Sequence, residues 1–344
     1  MKKIAIILSV VMLVSLLFAG CGAKKAEPAP QQPAGQSKSE PAKKEDVKPI
    51  VLKGVTNNPK DSGHYRGLEI FKKIVEERTN GRVLVELYSD GVLGDEEQMV
   101  EGMKMGTVDV MMAAAAKYAN FVPEMDIYSP PYTFKSWDHL KEVMNSDVDK
   151  KIVQAVKERT GDIYLGLFTD GNRNVFTRKP VKSLAEMKGI KLRTMTGPNE
   201  TNSWTALGTN PTPLAYTELY AALQAGVVDG AENTMTSLLG MKFHESCKYV
   251  LKTGHNYLAL PFFISGKALE KVPADLRDIV VQAGKDTTKE QIDMAIKFDL
   301  ENEEKLKKDY GVTMYDFSKE DLEKALELVK PVHDENAKRI GMEK

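Results

Sequence analysis

From residue 50 onward the chain alternates short apolar runs with amphipathic stretches, and that alternation most restricts its fold. Ile50 to Val55 reads as a strand. His64 to Thr79 follows with Leu68, Phe71, Ile74 and Val75 at helical spacing. Val83 to Tyr88 is the next strand, and Asp95 is a credible N-cap for a helix carrying Met99, Val100 and Met103. Glu96 and Glu97 fall in its first turn, where the helix dipole favours negative charge. Val108 to Met112 then reads as a buried strand. Strand–helix–strand order with short connections predicts an α/β protein.

The pattern has an internal echo. Gly106-Thr107-Val108-Asp109 closes one helix, and Gly226-Val227-Val228-Asp229 closes another, from Thr217 through Ala225, in the same manner. Glycine directly after a helix supplies the left-handed C′ residue. Two similar helix–Gly–strand units point to two related lobes, although that unit is common in any α/β protein. The C-terminal part is helix-rich, with one helical pattern from Asp275 to about Lys308, a short strand Val312 to Tyr315, and a helix starting at Ser318 that Pro331 is expected to stop.

The first 49 residues belong to other classes. Lys2 and Lys3 precede an apolar run, Ile4 to Ala19, too short for a comfortable membrane span and fitting a signal segment. The segment Leu17-Phe18-Ala19-Gly20-Cys21 resembles a bacterial lipobox, with Phe18 where Leu is usual. Residues 1–20 are thus expected to be a signal peptide and Cys21 a lipidation site, with a plain secretory peptide as the alternative. Residues 21–49 hold five prolines, no aromatic residue and only Val47 as a large apolar side chain, the composition of a solvated tether. An extended tether of this length reaches at most about 90 Å.

Composition narrows the function. The chain has 344 residues, 48 Lys plus Arg and 49 Asp plus Glu, for a net charge of −1. That removes the electrostatic case for nucleic acid. Two cysteines exclude a disulfide scaffold and Cys-rich metal sites. Cys247 reads as a small buried apolar residue. The five histidines lack metal-ligand spacing, and no phosphate loop, dinucleotide fingerprint, zinc-protease or serine-hydrolase motif is present. No metal and no cofactor are expected, and a binding protein is favoured over an enzyme.

Residues 166 to 235 are the most informative. A strand Ile163 to Phe168 runs into Thr169-Asp170-Gly171-Asn172-Arg173-Asn174, and Lys188-Gly189-Ile190-Lys191-Leu192-Arg193-Thr194 gives another strand with an arginine at its end. A guanidinium at a strand end can face a cleft and take a carboxylate through two parallel bonds. A lone arginine is usually just solvated. Two, each at a strand end, make the cleft reading stronger.

These stretches resemble the substrate-binding subunit of TRAP (tripartite ATP-independent periplasmic) transporters, the DctP type, over essentially all of residues 50–340. The resemblance is carried by Leu93-Gly94-Asp95, Pro130-Pro131-Tyr132-Thr133-Phe134, Lys188 to Arg193, Asn210-Pro211-Thr212-Pro213 with Glu218-Leu219-Tyr220, and Ala222 through Asn233. It implies an α/β, two-lobed, type II-like periplasmic binding protein with hinge crossings and a long connecting helix. Lobe I is expected from 50–170 plus about 259–298, and lobe II from 171–258 plus about 299–344. The resemblance also implies roles: Arg193 pairs with a ligand carboxylate, Arg173 is a second contact, Tyr216 packs on the ligand and Asn233 hydrogen-bonds it. Asn57 and Glu96 fall where some members place polar contacts from the first lobe.

Sialic-acid-binding members carry a glutamate where this chain has Ala113, Ala114, Ala115 and Ala116, which weakens that ligand class. Trp204 reads as a core residue more than a ligand wall. The expected ligand is an organic acid, a C4-dicarboxylate favoured because each arginine could take one carboxylate, with sugar acids and keto acids next. The expected partners are the large and small TRAP membrane subunits, with an extracytoplasmic, lipid-anchored location. A ligand sensor feeding a membrane signalling partner is the alternative, and an extracytoplasmic hydrolase a remote one.

Overall fold

The structure, a computed structural model, describes residues 48–343 apart from 145 and 198. The expected signal segment, Cys21 and nearly all of the tether lie outside the described residues. Eleven strands are described: β1 (Ile50–Val55), β2 (Val83–Tyr88), β3 (Val110–Met112), β4 (Ile163–Phe168), β5 (Asn172–Thr177), β6 (Lys191–Thr194), β7 (Asn210–Pro213), β8 (Gly230–Asn233), β9 (Tyr249–Tyr257), β10 (Leu260–Ile264) and β11 (Thr313–Asp316). They form two sheets, ordered β2-β1-β3-β10-β4 and β11-β9-β5-β8-β6-β7. Both are mixed. In the first, β1 runs parallel to β2 and β3 while β10 is antiparallel to β3 and β4. In the second, β6 is parallel to β7 and β8, and β5 is antiparallel to β8 and β9.

In the first sheet β3, β4 and β10 are buried on both faces, which is why they read as apolar runs rather than alternating ones. Successive side chains of a strand point to opposite faces. Phe262 accordingly packs with Leu68, Phe71 and Val280, whereas Phe263 packs with Tyr118, Met111 and Tyr164. In the second sheet Phe176 joins Leu219, Leu223 and Phe243, and Val175 joins Trp204, Leu192 and Val329. Leu68 and Phe71 are apolar positions that the helical spacing marked, now placed against a specific strand.

The helix boundaries follow local chemistry. Asp95 caps the helix Glu96–Met105, its carboxylate accepting from the Gln98 amide while the Gln98 side chain reaches back. Gly106 ends it at φ 81°, and Gly226 ends the helix Leu219–Ala225 at φ 70°, so the two echoed glycines share one left-handed geometry. Pro331 does not stop its helix. The helix Lys319–Arg339 runs through it. Proline removes one backbone donor, but bonds to another segment hold the last turns: His333 Nε2 to the Pro131 carbonyl at 2.7 Å and Asn336 Nδ2 to the Asp126 carbonyl at 2.9 Å.

The chain passes between sheets twice through strands. It leaves β4 for β5 through Thr169–Gly171 and returns from β9 to β10 through Leu258 and Ala259. The helix Ala274–Tyr310 packs against β4 and the helix Gly63–Arg78 at one end and the helix Met235–Gly240 at the other. Gln291 on it holds the first crossing: its Nε2 donates to the Thr169 carbonyl at 2.6 Å, and its Oε1 accepts from the Thr169 amide at 2.9 Å. Farther along, Asp299 accepts from the Thr236 amide at 2.8 Å. Among the described residues no helix is long and apolar enough to cross a membrane.

Candidate functional site

The second sheet brings the two arginines side by side. Strands β5 and β6 both flank β8, with Asn174 opposite Asn233 and Arg193 opposite Ala231. Arg173, Arg193, Asn233 and Tyr216 line one cavity, and the first-sheet half supplies Glu96 at the start of its helix. The free volume among them is about 30 Å³, room for a water or two. That is far below the few hundred Å³ of an organic-ligand site.

The arginines are both buried, but their partners differ. Arg173 Nε and Nη2 grip the two carboxylate oxygens of Glu232 at 2.6 and 2.7 Å; Nη2 also donates to the Glu232 carbonyl, and Nη1 to Asn233 Oδ1 at 3.1 Å. Of five guanidinium N–H donors, one is left. Glu232 is further held by His255 Nε2 at 3.1 Å. Burial raises the Glu232 carboxyl, but Arg173 and His255 outweigh it and hold it at about 2. Burial lowers the pKa of His255, leaving the neutral ring to donate from Nε2 to the carboxylate while Nδ1 faces the Thr253 hydroxyl at 2.9 Å. Arg173, Glu232 and His255 thus form a closed, charge-balanced set.

Arg193 is 1% exposed and has no carboxylate within ion-pair distance among the described residues. Its Nε and Nη2 both donate to the Leu214 carbonyl, at 3.1 and 2.7 Å. Three donors remain, and the guanidinium carbon lies 5.9 Å from the Tyr216 ring centroid. Burial pulls its pKa down. A buried cation without a counter-ion costs several kcal/mol, and this one sits on the cavity wall.

The other expected residues fall as follows. Glu96 Oε1 accepts from the Ala114 amide at 2.9 Å, so the backbone of the alanine run orients this carboxylate. Asn233 Oδ1 is taken by Arg173 and the Thr234 amide. Tyr216 is buried, and burial raises its phenol well above the usual range. Asn57 is buried but does not line the cavity; its Oδ1 accepts from Asn58 Nδ2 at 2.9 Å, and Asn58 is the lining residue. Trp204 packs edge-on against His255 in the core. Cys247 is buried, its thiol pushed up to about 12 by desolvation.

Sequence reasoning missed Asn58, His64, Ser237 and Lys117 on the wall, and Glu232 behind it. Glu232 stands inside the stretch Gly230-Ala231-Glu232-Asn233 that carried the resemblance, and Lys117 directly ends the alanine run, so both had a visible signal.

Two α/β halves joined by strand crossings and a long helix, with a polar cavity between, define a two-lobed binding protein. The chain belongs to bacterial extracellular solute-binding protein family 7, whose model matches residues 54–339. A solute-binding protein of Sulfitobacter sp. (strain NAS-14.1) is 30% identical over 292 residues, 85% of this chain and 88% of that one. The C4-dicarboxylate-binding periplasmic protein DctP of Rhodobacter capsulatus is 29% identical, covering 86% of this chain and 89% of its own. A crystal structure of a TRAP periplasmic solute-binding protein from Sulfitobacter sp., with bound α-D-taluronate, superposes with a TM-score of 0.81 at 29% identity, over 86% of this chain and 95% of that one.

Proposed function

We propose that this protein captures an organic acid outside the cytoplasm and delivers it to the large and small membrane subunits of a TRAP transporter. The observation that carries the reading is Arg193, a buried guanidinium on the cavity wall with three donors left over and no carboxylate within ion-pair distance among the described residues. A ligand carboxylate supplies the missing charge through a bidentate pair. Tyr216 packs on the acid, and Asn233 offers its amide nitrogen. Closure of residues 50–170 plus about 259–298 against the remainder completes the contacts, the hinge being Thr169–Gly171, Leu258–Ala259 and the long helix. Cys21 and the tether hold the body at the membrane surface. No catalytic step is assigned.

The preference for a C4-dicarboxylate assumed two free arginines. Glu232 occupies the Arg173 fork and Glu97 already balances Lys117 on the same wall, so a second ligand carboxylate would find no unpaired cation there and would meet the Glu96 carboxylate as a like charge. A carboxylate such as Glu96 accepts hydroxyl protons instead. The site therefore favours a hydroxylated monocarboxylic acid, a class that includes the taluronate held by the Sulfitobacter relative, over a diacid. A thermal-shift screen of uronates, aldonates, 2-keto acids and C4-dicarboxylates tests this. Uronates or aldonates are expected to raise Tm most; a largest shift from succinate or malate would reverse the ranking.

A further inference from the structure

Lys117 lines the same cavity with its side chain only 3% exposed. An ammonium has three N–H donors. One goes to Glu97 Oε1 at 3.2 Å and one to Thr196 Oγ1 at 2.5 Å. Thr196 donates in turn to the same Glu97 oxygen. The third N–H has no partner among the described residues. Glu97 and Lys117 stand on either side of β3 in the first-sheet half, whereas Thr196 follows β6 in the second. The halves touch closely there: a Cβ on Gly197 would lie 2.7 Å from the Cβ of Ala116. The Lys117 ammonium is therefore at the seam and at the cavity wall together.

A surface pair alone does not explain that position. The Glu97 side chain is 36% exposed, and pairs with solvated partners contribute little, while withdrawing an ammonium from water is costly. An acceptor on the cavity side offsets that cost. We infer that Lys117 is a specificity-determining residue of the acid site: its third N–H takes an acceptor oxygen on the part of the ligand remote from the carboxylate. The inference rests on the acid-capture reading, in which Arg193 holds the carboxylate end. It selects acids with an oxygenated tail, and a ligand so held adds to the Lys117–Thr196 contact across the seam.

Calorimetry on the protein with D-galacturonate, D-gluconate and hexanoate tests it, since hexanoate offers a six-carbon carboxylic acid with no tail oxygen. Wild type is expected to prefer the hydroxylated acids. Lys117→Met is expected to narrow that preference about tenfold or more while hexanoate binding stays within about threefold. Lys117→Gln, which keeps a neutral donor of shorter reach, is expected to fall between and serves if the Met variant does not fold. An unchanged preference in the folded Lys117 variants, with Arg193→Ala unable to bind, overturns this inference alone. Wild type that binds none of the three acids overturns this inference, and Arg193→Ala that binds them normally overturns the acid-capture reading and this inference with it.

Discussion

Arg173 and Arg193 look alike in the sequence and are opposite in their electrostatics. Both end up buried beside β8, yet one is neutralised by Glu232 and the other is not. Residue type and position told where the guanidinium groups sit; the pairing depends on the β5/β8 register and on His255 arriving from β9, and no local spacing reports either. The asparagine on the cavity wall is Asn58 rather than Asn57 for a similar reason, because the turn after β1 decides which of two adjacent asparagines faces the cavity. The pairing has a measurable consequence. Glu232→Gln leaves Arg173 buried with an uncompensated charge, and breaking such a pair costs about 3 to 5 kcal/mol. Urea denaturation is expected to show a loss of that size with an unchanged m-value. A change below about 1 kcal/mol would mean that Arg173 finds another partner.

At the level of elements, helices and strands were largely legible because their apolar periodicities and caps are local. The exceptions were settled by distant contacts. Pro331 was expected to end a helix, and bonds to the Asp126 and Pro131 carbonyls carry the helix past it. The helix Ala274–Tyr310 was visible as a long pattern, but its role at the crossings depends on Gln291 and Asp299. Burial pushes the Asp299 carboxyl up from 3.8 to about 7, with nearby Asp170 adding to the shift. The native state then keeps this proton across an interval in which the unfolded chain has lost it. The stability so contributed is complete below about pH 4 and is lost as pH rises toward 7. Glu200, raised chiefly by burial to about 8, acts in the same direction. Glu232, held near 2, acts oppositely, contributing above its ordinary 4.5 and losing that contribution as pH falls toward 2. Asp299→Asn is expected to flatten the decline of Tm between about pH 5 and 7, read by calorimetric scans; the wild-type slope in that variant would contradict the assignment.

For the whole molecule, the two-lobed architecture was implied by the echoed helix–Gly–strand units and the motif resemblance together. Neither the near-closure of the cavity nor the contact of Lys117 with Thr196 is legible from local spacing, since both depend on how two separately built halves meet. The overall charge of −1 was equally uninformative about the site. Residues 50–344 carry 45 acids to 40 bases, so under the proposed function anion capture depends on local cations, Arg193 first among them. Such a group trades stability for binding: replacing a buried unpaired cation by an apolar side chain relieves desolvation, while the ligand loses its partner. Arg193→Leu is accordingly expected to raise the Tm of the ligand-free protein, as read by differential scanning fluorimetry, with a lower Tm as the contradicting result.

The central claim is that Arg193 holds the ligand carboxylate, and isothermal titration of wild type and Arg193→Ala with the acid that gives the largest thermal shift tests it most directly. Removing one partner of a buried, hydrogen-bonded charge pair costs at least about 2 to 5 kcal/mol. Arg193→Ala is therefore expected to keep its fold by circular dichroism and to bind roughly thirtyfold to several-thousandfold more weakly; wild-type affinity in a folded Arg193→Ala variant would contradict the claim.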